Sequence, residues 1–108
     1  MELLAFPDVA SALGVSVTKV HQHVRDGLVV AVKNEDGIRC VPADFLQDGA
    51  AVKHLPAVIR LLRDARFTDD EIVDWLHRPD ASLPGTPIEA LRGNRGSEVK
   101  RRAQAAGY

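Results

Sequence analysis

Ser16, Thr18, Lys19, His21, Gln22 and Arg25 fall within one short stretch of this 108-residue chain. Glutamine can bond adenine through both ends of its amide, and arginine or lysine can bond guanine or a phosphate. Ser16 and Thr18 sit where a helix would begin, beside free backbone N–H groups that attract phosphate. His21 and His23 flank the same set and reach toward a backbone. Further on, Lys33, Asn34 and Arg39 offer contacts to phosphate or the minor groove, while Glu35 and Asp36 between them oppose an anion. Together these side chains suit a polyanion that also displays base edges, which is duplex DNA.

The surrounding pattern supplies the elements that would hold them. A first helix is expected over Pro7 to Leu13, with proline at a first helical position, where its missing N–H costs nothing. Val9, Ala10 and Leu13 share one face, and Gly14 supplies a left-handed stop. Ser16 is a suitable N-cap for a second helix, Val17 to Asp26. Val17, Val20 and Val24 recur at helical spacing and form its expected buried stripe. Thr18, Lys19, Gln22 and Arg25 then point the other way. The turn Gly14-Val15-Ser16 between the helices lets Val15 plug the core. Gly27 ends the second helix. Leu28 to Lys33 and Ile38 to Val41 read as two strands joined by Asn34-Glu35-Asp36-Gly37, a hairpin tip. Helix, turn, helix and hairpin in that order make a winged helix-turn-helix, whose second helix enters the major groove.

A second helical section follows. Pro42 is expected to start a short helix from Ala43 to about Gln47, closed by Asp48-Gly49. Leu55, Val58, Ile59, Leu62 and Ala65 mark one amphipathic helix. Thr68 to Glu71 is a capping box that opens a helix carrying Ile72, Val73, Trp75 and Leu76. Pro79 to Gly85 is a loop. Thr86 to Glu89 is another capping box, with Ile88 and Leu91 as the apolar residues of its helix, and Gly93 ends it. Ser97 to Ala106 forms a last helix, with Val99, Ala103 and Ala106 on one side, too short to stand undocked in water. The fold class is mainly α with a small β-hairpin. The winged unit spans 1–50, and a C-terminal helical extension spans 51–108.

Composition narrows the function. The chain is 45% hydrophobic with few aromatics, so its core is built of Val, Leu, Ile and Ala. A formal net charge of -1 argues against coating nucleic acid by charge alone, but not against a specific reader. Cys40 is the single cysteine, which excludes an intrachain disulfide and fits a reducing cytoplasm. No signal peptide and no membrane-spanning run are visible. His21 and His23, two apart on a helix, diverge, and no zinc-type spacing exists, so no metal, cofactor or small-molecule ligand is expected. No serine lies in a nucleophile motif and no glycine loop cradles phosphate, so no catalytic set is expected.

The segment Asp8-Val9-Ala10-Ser11-Ala12-Leu13-Gly14-Val15-Ser16, then Thr18-Lys19-Val20, then Asp26-Gly27-Leu28-Val29, resembles the MerR/excisionase-like winged-helix superfamily. Arg39 to Leu46 looks like the return strand of the wing and the helix after it. The tail, Ser82 to Leu91 and Glu98 to Ala105, is similar to a group of small actinobacterial winged-helix DNA-binding proteins with a helical C-terminal extension. The resemblance implies DNA binding in transcription regulation or nucleoid organisation, in the cytoplasm. The long dimerising coiled coil and the cysteine-rich effector site of MerR regulators are absent, which puts metal or drug sensing by that route in doubt.

The DNA-contacting set expected is therefore Ser16, Thr18, Lys19, His21, Gln22, Arg25, Lys33 and Arg39. The C-terminal helices either complete the core of the winged unit or form a homodimer interface anchored on Trp75. Arg92, Arg95, Lys100, Arg101 and Arg102 either add phosphate contacts or form a solvated face. Two rival functions remain: an excisionase-like recombination accessory factor, and an antitoxin-like module whose tail grips another protein.

Overall fold

The computed structural model describes residues 1–107. Helix α1 (Phe6–Leu13) carries Pro7 in its first turn and stops at Gly14, whose φ of 68° lies in the left-handed region. There the Gly14 and Val15 N–H groups bond the Ser11 and Ala10 carbonyls. Helix α2 (Val17–Arg25) starts at Ser16, whose hydroxyl accepts the Lys19 N–H at 3.2 Å. Loss of such a cap costs about 1 kcal/mol.

The wing holds one more strand than the sequence pattern suggests. Strand β1 (Leu3–Ala5) precedes α1 and pairs antiparallel with β3 (Arg39–Pro42), which also pairs with β2 (Val32–Lys33). Cys40 lies opposite both Ala5 and Val32, so the N-terminal strand clamps the far edge of the wing. At the wing tip the Asn34 side-chain oxygen accepts the N–H groups of Asp36 and Ile38 at 2.9 and 3.0 Å. Paired strand is confined to Val32–Lys33 on the first arm, shorter than the expected run from Leu28. Val29, Val30 and Ala31 are instead buried as irregular chain leading into the core.

The segment after the wing corrects the expected helix to Gln47. A single 3-10 turn, Ala43–Phe45, gives way to a second hairpin, β4 (Leu46–Gln47) and β5 (Ala50–Ala51). Asp48 and Gly49, at φ 54° and 78°, are its two-residue tip rather than a helix stop. Left-handed geometry at both central positions is what a tight hairpin turn requires.

Four helices follow: α3 (Leu55–Asp64), α4 (Asp69–His77), α5 (Pro87–Arg92) and α6 (Gly96–Ala105). The Thr68–Glu71 capping box is complete in both directions. At Thr86 it is half made: the hydroxyl accepts the Glu89 N–H, and the Glu89 carboxylate takes the Thr86 hydroxyl rather than its N–H. Leu55, Val58, Ile59 and Leu62 of α3 are all buried, each contributing about 1.5–3 kcal/mol of burial. Helix α6 docks on α3 through Val99 and Ala103.

One hydrophobic cluster runs through the molecule, joining Val9, Val20, Val30 and Phe45 to Leu55, Ile59, Ile72, Leu76, Ile88 and Val99. Residues of the C-terminal helices and of the winged unit thus share one hydrophobic cluster. Trp75 is half-buried against this cluster. Among the described residues no helix is long and apolar enough to cross a membrane.

Candidate nucleic-acid interface

Val20 and Val24 anchor α2 to the core, so its opposite side must face solvent. Thr18, Lys19 and Arg25 are exposed there and Gln22 is half-buried, in one stripe along the helix. Ser16 at its head is exposed, although its hydroxyl is already committed to capping. Neither Lys19 nor Arg25 enters an ion pair among the described residues. Val17 departs from the expected stripe: it is 40% exposed. Val15, in the turn, takes the core-facing place below the helix start, leaving Val17 outside.

His21 and Arg39 meet through Phe6, a residue the sequence reading passed over. The His21 ring stands edge-on to the Phe6 ring with centroids 4.8 Å apart, and the Arg39 guanidinium lies 5.5 Å from the same ring's centre. Phe6 thereby joins the recognition helix to the return strand of the wing. His23 turns back on its own helix, its Nδ1–H donating to the Lys19 carbonyl at 2.8 Å. Lys33 is exposed on β2, and with Arg39 it borders a groove of about 470 Å³ whose far side is Thr68, Asp69 and Asp70 of the α4 start. The wing bases therefore face carboxylates on one side and solvent on the other. Ile38, beside the wing tip, is 53% exposed.

The C-terminal bases divide. Arg92 reaches across the chain to donate to the Asp44 and Leu46 carbonyls at 2.9 and 2.7 Å. Arg95 pairs with Glu98 at 2.8 Å. Arg102 donates to Ser82 Oγ and carbonyl and to the Glu98 carbonyl, tying the 79–85 loop to α6. Arg92 and Arg102 thus tie distant segments together, while Arg95 makes a local pair at the head of α6. Lys100 and Arg101 make no such bond among the described residues.

Behind the wing, His77 of α4 grips Asp44. Its Nε2 lies 2.9 Å from both carboxylate oxygens, its Nδ1 lies 2.7 Å from the Val73 carbonyl, and its ring stacks on Phe45. Both ring nitrogens face acceptors, so the imidazolium, with two N–H donors, satisfies every partner. Burial works against that charge, but the Asp44 hydrogen bond, the Val73 carbonyl and the Asp44 charge outweigh it together with the more distant N-terminus. The His77 pKa is raised above 6.5. The partners are 33 positions apart, beyond any local sequence signal.

Comparison with known proteins bears on this arrangement. Residues 1–46 match the family described as "DNA-binding protein Rv2175c, wHTH domain", and residues 52–107 match "Rv2175c C-terminal domain of unknown function". The chain is 40% identical over 114 residues to DNA-binding protein Rv2175c of Mycobacterium tuberculosis, across 94% of this chain and 78% of the relative. The NMR structure of Rv2175c superposes with a TM-score of 0.90 at 38% identity, across 99% of this chain and 82% of that one. The winged-helix content of the sequence resemblance agrees with these matches; the wider MerR/excisionase-like group is not what they name. Two matched regions, one relative aligned over 94% of this chain and one shared fold agree, and the chain belongs to the Rv2175c family, a winged helix-turn-helix followed by that family's C-terminal domain.

Proposed function

We propose that this protein binds duplex DNA with α2 in the major groove and the β2–β3 wing against the adjacent backbone, as a transcription regulator or nucleoid-associated factor. One observation carries the reading: the solvent side of α2 presents Thr18, Lys19, Gln22 and Arg25 in one stripe, with its two cations unpaired among the described residues. The name of the M. tuberculosis relative, a DNA-binding protein, supports it.

In this reading Lys19, Gln22 and Arg25 contact bases or phosphates, and Thr18 with the Ser16 end of the helix anchors a phosphate. His21, Arg39 and Lys33 hold the neighbouring backbone. Val17 adds an apolar contact. Its exposed methyl groups at the head of α2 fit the methyl of a thymine, and contact of that kind separates T·A from the other pairs. The MerR/excisionase-like assignment is supported by the passage from α2 through Gly27-Leu28 into the wing. A homodimer through the C-terminal helices has less support, because α3, α4 and α6 turn their apolar faces into the chain's own core.

Fluorescence anisotropy with random and selected duplexes over a salt series tests the reading. Salt-sensitive binding by the native protein that is lost in Lys19→Ala/Arg25→Ala is expected. Absence of binding at low salt and tens of micromolar protein, about the top of the non-specific range, overturns it.

A further inference from the structure

The C-terminal domain of this family carries no assigned role, yet its first helix flanks the recognition helix. A groove of about 390 Å³ opens at the trailing end of α2, with Arg25, Asp26 and Gly27 on one wall and Pro56, Ala57, Ile59, Arg60, Arg63 and Asp64 of α3 on the other. Three guanidinium groups line it, and they are not equivalent. Arg63 is a strut. It bonds Asp69 at 3.1 Å, and its Nη1 packs so closely on Gly27 that a Cβ there would meet it at 3.1 Å. This contact fixes α3 against the turn that ends α2. Arg25 and Arg60 are exposed, and neither pairs with a carboxylate among the described residues, although Asp26 and Asp64 line the same groove. Arg60 lies one helical turn before Arg63 on α3, and so on the same side of that helix. Arg25 closes the polar stripe that begins at Thr18.

We propose that Arg60 and Arg25 form a two-arginine clamp on one DNA backbone phosphate at the trailing end of the recognition helix, so that the C-terminal domain is part of the DNA interface. The inference rests on the major-groove placement of α2 proposed above. Guanidinium groups suit this task because their planar donor forks match phosphate oxygens. The strut fixes the helices that carry the two arms, so Arg25 and Arg60 rise from opposite walls of one groove. A phosphate contact adds affinity without base preference, and therefore has a defined salt signature: each one lost lowers the slope of log affinity against log salt by about 0.9.

The test uses the full chain and a random-sequence duplex, with anisotropy over a salt series for the native protein, Arg60→Ala, Arg60→Lys, Lys19→Ala and Lys53→Ala. Lys53 is an exposed cation immediately before α3 and outside the groove. The clamp requires a loss of about fivefold to tenfold in affinity and a lowered slope for Arg60→Ala, by less than the full unit of a lost phosphate contact because Arg25 still meets the phosphate, with partial recovery in Arg60→Lys and no slope change in Lys53→Ala. Melting temperatures should be unchanged, since Arg60 makes no internal bond among the described residues. If the native protein binds, Lys19→Ala weakens it, and Arg60→Ala keeps the native slope, the clamp is wrong and the recognition-helix reading stands. Equal slope loss in Lys53→Ala also refutes it, by reducing the effect to net charge. If the native protein binds no duplex, both readings fall.

Discussion

The guanidinium of Arg39 lies over the ring of Phe6, 5.5 Å from its centre, and the same ring takes the edge of His21 at 4.8 Å. Phe6 is 7% exposed, so it is core on one side and a platform on the other. The contact is electrostatic and steric together: the negative face of the ring attracts the cation, and the fixed ring limits where the wing can go relative to α2.

Phe6→Leu should therefore weaken DNA binding beyond its effect on stability. Leucine keeps apolar bulk, so the stability cost should stay within about 1.5 kcal/mol. The face that holds Arg39 is lost, and binding should fall severalfold at low salt, with recovery in Phe6→Tyr. A double-mutant cycle with Arg39→Ala, read by anisotropy, should give a coupling of about 0.5–1 kcal/mol. Additive effects would mean that the two side chains touch without cooperating.

How much of this was legible in the sequence follows the range of each interaction. Helices α1 and α2, the Ser16 cap, the Thr68–Glu71 box and the wing tip are set by residues within four positions of one another, and pattern reading places them. Val17 shows the limit within a helix, since spacing assigns it to the buried stripe while Val15 fills the space below. Strand β1 is invisible locally, because three residues carry too little alternation and its partner is β3, far along the chain. Asp48-Gly49 was ambiguous for a similar reason: the same dipeptide stops helices and turns hairpins, and the short strands on either side decide between them. The bases of the proposed DNA-contacting set were visible as residue types, but Phe6, which touches His21 and Arg39, was not. Nor could the sequence separate Arg92 and Arg102, which tie distant segments together, or Arg95, which pairs locally, from Lys100 and Arg101.

Stability should show a pH signature from His77. Its pKa is raised in the folded state, so the folded protein holds this proton more tightly than the unfolded chain. The contribution is full below 6.5 and is lost as pH rises through the higher folded value. His54 acts in the opposite sense: burial first, then Lys100 and Lys53, lower its pKa, so its effect falls on the acid side of 6.5. Urea midpoints taken from about pH 6.5 to about pH 8.5 should decline in the native protein. The decline should flatten in Asp44→Asn, which keeps an acceptor but removes the charge. An unchanged slope in Asp44→Asn would show that the pair does not control the titration.

Arg92→Ala should cost stability and leave the salt dependence of DNA binding alone. The guanidinium satisfies the carbonyls of Asp44 and Leu46, joining α5 to the segment between the two hairpins. Removing it strips two partly buried acceptors of their charged donor, at a cost of about 1–3 kcal/mol. For a chain of this length that is a drop of several degrees in melting temperature. Arg101→Ala, which removes an exposed arginine of α6, should change stability by less than about 0.5 kcal/mol. A reduced salt slope in Arg92→Ala would assign Arg92 to the DNA surface instead.

Gly96→Ala tests the docking of α6 on α3. Gly96 is the first residue of α6 and is buried, and a Cβ added there would stand 2.5 Å from His54 Cδ2 and 2.8 Å from Cγ. Ring rotation alone does not relieve the clash, because His54 Cβ also stands 3.1 Å away, on a backbone that caps α3 in the left-handed region at φ 70°. Alanine is the better helix former by up to about 1 kcal/mol, so propensity alone would make the substitution stabilising. Overpacking costs about 1–3 kcal/mol and should win. Gly93→Ala is the control three residues earlier: its φ is -92°, and the nearest atom to an added Cβ is the Glu89 carbonyl oxygen at 3.4 Å. Thermal unfolding should therefore rank Gly96→Ala below the native protein and Gly93→Ala level with it. If Gly96→Ala melts at or above the native temperature, α6 does not seat against His54, and the last helix contributes less to the core than Val99 and Ala103 imply.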